Sequence, residues 1–316
     1  MKLLSLKIVS VPELPNNIPE YAERKTPPNM PRLHMLSAVV GSRNSGKTTT
    51  IIKLLKMYIR HKSYDKIFWW SPTARREKKF QDFMEDCEGQ VQFEVFERFD
   101  EGEFVQLLEF FRAEIDEYRR YKKRLEAWRK FKKCKDVDDL TLDELALLQE
   151  CDFEKPTTEY KNGFPSFALV WDDMVGSKNV FSPTCKGVTS NFWILHRHLS
   201  CSVFILSQIV ANGIPRQIRG NISLWILFPC KSDKLKKDVA EELAFKVDPE
   251  MFLKIWDFCT KDQHDFLMCD YDIPDPKYMF RKNWNKVVLY DEISDLNKND
   301  EQDDKDRRKT EEANAG

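Results

Sequence analysis

The residues Gly41-Ser42-Arg43-Asn44-Ser45-Gly46-Lys47-Thr48 place two glycines, a lysine and a hydroxyl residue at the spacing of a phosphate-binding loop. Glycine at 41 and 46 frees the backbone to turn successive N–H groups onto phosphate oxygens at the positive end of a following helix. In that arrangement Lys47 reaches the β- and γ-phosphates of a nucleoside triphosphate, Thr48 holds Mg²⁺, and Thr49 continues the cradle into the helix. A second pair able to do chemistry is Asp172-Asp173, at the end of the apolar run from Phe164. Asp172 is expected to coordinate Mg²⁺ through water, and Asp173 to orient and deprotonate an attacking water. Ser207-Gln208 closes another apolar run, where Gln208 can contact the γ-phosphate or the lytic water, and Arg216 and Arg219 precede the strand after it. An arginine in that region is either a surface residue or a finger for a neighbouring site.

These residues must be held by regular elements, and the patterning supplies them. Leu33 to Val40 is an apolar run with β-branched residues that feeds the loop, and Thr49 to Arg60 follows with helical spacing. Further strands are expected at Lys66 to Ser71, Val91 to Phe96, Phe164 to Asp173, Cys201 to Leu206 and Ile222 to Phe228, with terminal strands at Phe266 to Tyr271 and Trp284 to Leu289. Helices are expected at about 74–85, 231–245 and 249–258, the last opened by Asp248 as cap with Pro249 at the first position. Strands alternating with helical crossovers imply an α/β fold with a mainly parallel sheet covered on both faces. The paired carboxylates and Gln208 then reach the same carboxyl edge as the loop.

Residues 101 to 133 contain no proline, and Phe104, Leu108, Phe111, Ile115, Tyr118, Leu125 and Trp128 recur at helical steps. With the capping box Thr141-Leu142-Asp143-Glu144, residues 101–151 read as a helical hairpin inserted in the core. Its cations, among them Arg119, Arg120, Lys122, Lys123, Arg124, Arg129, Lys130, Lys132 and Lys133, are either a solvated face or a surface for nucleic-acid phosphates. Val11 to Pro31 holds six of the fifteen prolines, which suits an extended arm over the surface, and Met1 to Val9 suits an edge strand.

Composition narrows the class without naming it. With 316 residues and 41% hydrophobic content the chain can bury a sizeable core. Its 51 basic and 52 acidic residues nearly cancel, so nucleic-acid binding must come from a local patch. Eight cysteines without a Cys-x-x-Cys pair read as reduced thiols of a cytosolic or nuclear protein; Cys259, His264 and Cys269 are too loosely spaced to be assigned a metal. No run reaches the length of a membrane span, and the start is too short and charged for a signal peptide, so neither membrane association nor secretion is expected. His196 and His198, flanking Arg197, read as capping or surface residues.

Taken in order, these motifs resemble the genome-packaging ATPases of poxvirus-type large DNA viruses and their shorter relatives in virophages and polinton-like elements, within the FtsK–HerA superfamily of P-loop NTPases. The resemblance rests on the proline-rich entry ending at Met30-Pro31, the loop Gly41 to Thr48, Asp172-Asp173, Ser207-Gln208 and Arg216 or Arg219. It implies a homo-oligomeric ring, hexameric or pentameric, that uses ATP and Mg²⁺ to drive double-stranded DNA into a capsid, with capsid proteins as further partners. It also implies Gln208 as sensor and Arg219 as the favoured trans finger. The position after Asp172 is often glutamate in this pattern and is Asp173 here. The expected organisation is an N-terminal strand and arm over 1–31, an ATPase domain over 32–290 with its insertion at about 101–151, and a disordered charged tail over 291–316. The setting is the host cytoplasm or nucleus, or the virion. A DNA helicase or a nucleotide kinase is the alternative; the latter needs a compact arginine-rich lid, which the sequence does not display.

Overall fold

The structure is a computed structural model and describes residues 4–10, 24–134, 139–174, 180–181, 189–210, 213–244 and 247–292. Most of the expected tail and of the proline-rich arm lies outside these residues; Asp291 and Glu292, placed in the tail by sequence, end the last strand instead. Ten strands form one sheet: β1 (Leu4–Ser10), β2 (Leu36–Val40), β3 (Lys66–Trp70), β4 (Gln92–Phe96), β5 (Phe167–Asp172), β6 (Cys201–Ser207), β7 (Leu224–Leu227), β8 (Leu267–Asp270), β9 (Phe280–Lys282) and β10 (Lys286–Glu292). Their spatial order is β1-β10-β9-β8-β7-β2-β6-β5-β3-β4. From β7 to β4 every pairing is parallel, and from β7 to β1 every pairing is antiparallel. β1 thus occupies an edge, as its charged, short sequence suggested, while β9, a three-residue strand, is invisible to patterning.

The central strands are apolar throughout because both faces are covered. Alternate residues go to opposite sides: Ala38, Trp70, Trp171, Ile205 and Leu227 enter one core cluster, while Val39, Trp69, Val170, Phe204 and Ile226 enter the other. Helix α1 (Lys47–Arg60) and helix α2 (Lys78–Asp86) cover the second side through Ile51, Leu54, Leu55, Phe80 and Phe83. The first side is covered by α3 (Glu101–Phe131), α5 (Phe192–Leu195), α6 (Arg216–Arg219), α7 (Asp233–Leu243) and α8 (Pro249–Cys259), through Phe104, Phe111, Phe192, Val239 and Phe252 among others. Asp248 caps α8 by accepting from the Met251 N–H, with Pro249 at its first position. The expected helix at 74–85 is instead a single turn, Ala74–Arg76, followed by α2, because Glu77 between them is extended. His196 is buried rather than at the surface; its Nδ1 lies 3.2 Å from the Trp193 carbonyl, and burial pushes its pKa down to about 4.

Helix α3 and helix α4 (Leu142–Gln149) form the expected hairpin, and Thr141 and Glu144 make the full capping box. Ala127, Leu140 and Leu148 pack as a small separate core between them.

Where the arm enters the described structure it is inserted, not laid over the surface. The guanidinium of Arg24 is wholly buried and donates to the carbonyls of Phe164 (2.6 Å) and Lys62 (3.0 Å) and to Asp65. Asp65 also accepts from the Ser166 N–H at 3.0 Å, so one ion pair ties the arm to the loops before β3 and β5. Removing one partner of such a pair leaves the other charge buried and uncompensated. Arg24→Ala is therefore expected to lower the unfolding free energy by about 3–5 kcal/mol in urea titrations; a change below about 1 kcal/mol would show that the arm is not anchored there.

Candidate nucleotide site

The loop Gly41 to Gly46 leaves β2 at the point where the chain reverses its direction of travel across the sheet, with β6 on one side and β7 on the other. The ladder continues into it, since the Gly41 N–H donates to the Ser207 carbonyl at 3.2 Å. Gly41 is required by proximity: a Cβ there would lie 2.6 Å from Ser45 Oγ and 2.7 Å from Phe228 Cβ. Gly46 is required by conformation, standing at φ 105° as it starts α1. Ser42, Arg43 and Asn44 are exposed at the rim, Ser45 is buried, and Thr48 and Thr49 lie in the first turn of α1.

Lys47 folds back over its own loop. Its Nζ donates to the carbonyls of Gly41 (2.8 Å) and Ser42 (3.1 Å), and desolvation lowers its pKa against the opposing pull of Asp173 and Asp172. Thr48 Oγ1 donates to Asp172 Oδ2 at 3.1 Å, which brings the end of β5 against the first turn of α1 across the intervening strand β6. Asp172 is 7% exposed, and burial pushes its pKa up to about 6. Asp173 follows outside the strand at φ 56°, exposed, and accepts a long 3.4 Å contact from Gln208 Nε2. The sequence thus placed Lys47, Thr48, Asp172, Asp173 and Gln208 at one edge, and the structure brings all five together there.

The donor set fits both a triphosphate and a hard divalent cation. Among the described residues, Ser45 Oγ is buried with no hydrogen-bond partner and the ammonium of Lys47 is satisfied only by carbonyls of its own loop. Thr48 and Asp172 offer two oxygens in contact, the type of donor that Mg²⁺ takes. On the other face of the sheet, aromatic contacts run from the residue before Asp172. Trp171 stacks on Trp70 at 4.6 Å between centroids, and Trp70 stacks on Phe96 at 4.3 Å, neighbours in register across β5, β3 and β4.

The two arginines divide. Arg219, at the end of α6, is paired with Glu242 at 2.6 Å and donates to the Ile214 carbonyl at 2.6 Å, its side chain 10% exposed. Arg216, one turn earlier, is exposed, and its side chain has no ion pair or hydrogen bond among the described residues. The trans role that the resemblance assigns to Arg219 therefore competes with a contact inside its own chain. His264, which the sequence left beside Cys259 and Cys269, is a residue the motif reading missed: its Nδ1 lies 3.1 Å from the Ser45 carbonyl, bracing the loop from the α8–β8 connection. Only the distant pairing of β7 with β8 brings it there, so no local pattern could have signalled it.

Four of the hairpin's cations are held by acids of the hairpin itself. Arg120 grips Glu150 with two hydrogen bonds (2.9 and 2.6 Å), Lys130 reaches Glu144 at 2.8 Å, Arg124 pairs with Glu117, and Arg119 with Asp116 at 3.1 Å. Glu144 and Glu150 come from α4 and its end, acids that helical spacing on α3 alone could not count. Lys123, Arg129, Lys132 and Lys133 stay exposed.

The raised pKa of Asp172 gives a pH test. A carboxyl that protonates near 6 rather than at 3.8 is neutral below that pH, and a divalent cation binds its ionised form. Metal-dependent nucleotide affinity should therefore be full above about pH 7 and fall through pH 6, while Asp172→Asn should lose that pH dependence; fluorescent-nucleotide titrations between pH 5 and 8 measure both. The sign for stability is opposite. Between 3.8 and 6 the folded, metal-free protein binds more protons at this group than the unfolded chain, so its contribution to stability falls as pH rises through about 6.

No protein-family model matches the sequence, and no curated protein matches it either. Among solved structures, the chain is similar to B204, the DNA-packaging ATPase from Sulfolobus turreted icosahedral virus, with a TM-score of 0.46 and 13% identity over 81% of this chain and 96% of that one. It is also similar to the pCW3 conjugation coupling protein TcpA, with a TM-score of 0.39 and 15% identity over 92% and 67% of the two chains. A third neighbour is EssC (ATPases 2 and 3) from Geobacillus thermodenitrificans, with a TM-score of 0.40 and 13% identity over 83% and 41%. The fold they share with this chain is a mixed α/β sheet surrounded by helices, its central strands parallel.

Proposed function

We propose that this protein is an ATP-hydrolysing motor that moves double-stranded DNA, of the type that fills capsids. The observation that carries the ATPase half is the contact of Thr48 with buried Asp172 beside Lys47, with Asp173 and Gln208 at the same edge. The DNA half rests on the order of the sequence motifs, and neighbours named as DNA-packaging ATPase and conjugation coupling protein agree with it. B204 has been solved with ATP-gammaS and with AMPPCP, in keeping with a nucleotide at the loop.

The residues divide the work by position. The loop N–H groups and Lys47 bind the phosphates, and Lys47 must exchange the carbonyls of Gly41 and Ser42 for phosphate oxygens. Thr48 and Asp172 would hold Mg²⁺, which neutralises phosphate charge when bound. Asp173, exposed and in contact with Gln208, accepts a proton from water while Gln208 fixes that water's orientation. Asp173 is one methylene shorter than the glutamate often found there, and its place outside the strand, at φ 56°, sets it toward the exposed edge. Arg216 is the better placed of the two arginines to serve a neighbouring subunit, since Arg219 would first have to leave Glu242.

Lys47→Ala should abolish turnover, and Asp173→Asn should keep ATP bound but cleave it at least about 100-fold more slowly, the scale of general-base effects. Steady-state phosphate release with and without duplex DNA, beside nucleotide binding, checks both; near-normal hydrolysis in Asp173→Asn would remove it from the mechanism, and no stimulation by duplex would count against the DNA half.

For the arginines the decisive assay mixes variants. Arg216→Ala and Asp173→Asn subunits, each inactive alone, should recover partial ATPase when co-assembled, because an intact Arg216 then meets an intact Asp173 across an interface. Arg219→Ala should chiefly lower the thermal midpoint by breaking its buried hydrogen bonds. Recovery with Arg219→Ala but not with Arg216→Ala would restore the finger to Arg219.

A further inference from the structure

A cleft of about 500 Å³ opens at the carboxyl edge of the sheet on the far side of Asp173 from Gln208 and the loop, and Arg76, Glu97, Arg98, Phe99, Asp173 and Met174 line it. Arg76 ends the single helical turn after β3, and Arg98 lies in the connection from β4 to α3. The parallel pairing of β3 with β4 and with β5 delivers both to this edge. Both are exposed, and among the described residues neither side chain makes an ion pair or a hydrogen bond. Their neighbour Arg75 is different, its guanidinium being held by the Val95 carbonyl at 3.1 Å. The apolar wall is fixed, because Phe99 packs on Phe104 and Trp171 with centroids 5.6 and 5.7 Å away.

Two uncommitted guanidiniums at the mouth of a walled cleft present planar forks of N–H donors, a geometry that matches the oxygens of a phosphate group. Arg119, Arg120, Arg124 and Lys130 of the hairpin, by contrast, are spent on its own acids. We propose that this cleft is a second oxyanion site, separate from the nucleotide loop, which takes a phosphodiester of the DNA on which the ATPase acts. It rests on the nucleic-acid half of the function proposed above. Backbone contacts of this kind give affinity without reading sequence, as a motor that moves along any duplex requires. Asp173 forms a wall of this cleft and also touches Gln208, so a phosphate bound there adds charge directly beside the residue that receives the proton from water.

The test uses the full chain and labelled duplexes of two unrelated sequences, titrated over a series of salt concentrations. Arg76→Gln/Arg98→Gln should weaken both duplexes alike, by roughly tenfold, and flatten the dependence of log affinity on log salt by about 0.9 for each phosphate no longer neutralised. Arg76→Lys/Arg98→Lys should keep most of the salt slope while losing part of the affinity, because charge survives and the fork does not. Both arginines are exposed, so circular dichroism and the thermal midpoint should match the parent protein. A parent that binds duplex and a glutamine double variant with the same affinity and slope would overturn the cleft and leave the nucleic-acid reading standing. A parent without duplex affinity at any salt would overturn both. A larger loss in Lys123→Gln/Lys133→Gln would move the DNA grip to the hairpin and overturn the assignment, as would loss of assembly by light scattering in the arginine variant without DNA, which marks a subunit contact.

Chemical footprinting separates the sources of phosphate. Duplex DNA should slow phenylglyoxal modification of Arg76 and Arg98, whereas adenosine monophosphate and inorganic phosphate at equal phosphate concentration should not. Protection by the small phosphates with none by duplex would assign the cleft to a phosphoryl acceptor and overturn the DNA source.

Discussion

Burial of the central strands on both faces is the constraint from which the rest follows. With Val39, Trp69, Val170, Phe204 and Ile226 under one layer of helices and Ala38, Trp70, Trp171, Ile205 and Leu227 under the other, no side chain in the middle of β2, β3, β5, β6 or β7 can carry a charge without a partner. Polar chemistry is confined to the strand ends. Because these strands run parallel, one edge collects all their carboxyl ends, and β6 between β2 and β5 sets the spacing at which Thr48 meets Asp172. The site is thus a consequence of topology as much as of its own residues.

The same burial gives the site its electrostatic character. Desolvation disfavours the charged forms of Lys47 and of Asp172 together, and neither finds a strong partner in the other: the lysine turns to loop carbonyls and the aspartate to a threonine hydroxyl. Opposed burial of an ammonium and a carboxylate is unfavourable until groups of complementary charge arrive, a polyanion for one and a divalent cation for the other. Ser45 Oγ, buried and unpartnered, belongs to the same account. The loop is held ready from outside its own sequence by His264 on the Ser45 carbonyl and by Phe228 beneath Gly41.

What was legible in the sequence was what is local or periodic. The loop from Gly41 to Thr48, the apolar runs ending in Asp172 and Ser207, the long face of α3 and the Thr141–Glu144 box each announce themselves within a few turns of chain, and each stands where its pattern placed it. Strand ends differ by a few residues: the apolar run starts at Phe164 and Pro165, but β5 begins at Phe167, because Pro165 has no N–H to give the ladder and the Ser166 N–H is taken by Asp65. Features that depend on partners distant in sequence could not be read locally. Glu242, which holds Arg219, lies on α7, and Glu144 and Glu150, which hold Lys130 and Arg120, come from the return of the hairpin. Arg24 looked like part of a surface arm because Asp65 and the Phe164 carbonyl belong to two other loops. Charge counted along one helix overstates the field wherever a second element folds back on it.

The hairpin and the nucleotide edge are joined by aromatic packing rather than by any polar relay. Phe104, in the first turn of α3, packs on Trp70, Trp171, Phe99 and Phe192, and Trp171 immediately precedes Asp172. From that root α3 runs for 31 residues, about 46 Å at the rise of an α-helix. A close-packed aromatic block has few alternative arrangements and deforms little, so the helix and the end of β5 behave as one piece. The acid pairs that bind α4 to α3 stiffen the far end, where Ala127, Leu140 and Leu148 add only a small core. Beyond those pairs Lys123, Arg129, Lys132 and Lys133 stay exposed, so this rigid extension carries cationic surface away from the nucleotide edge even after its own acids are counted.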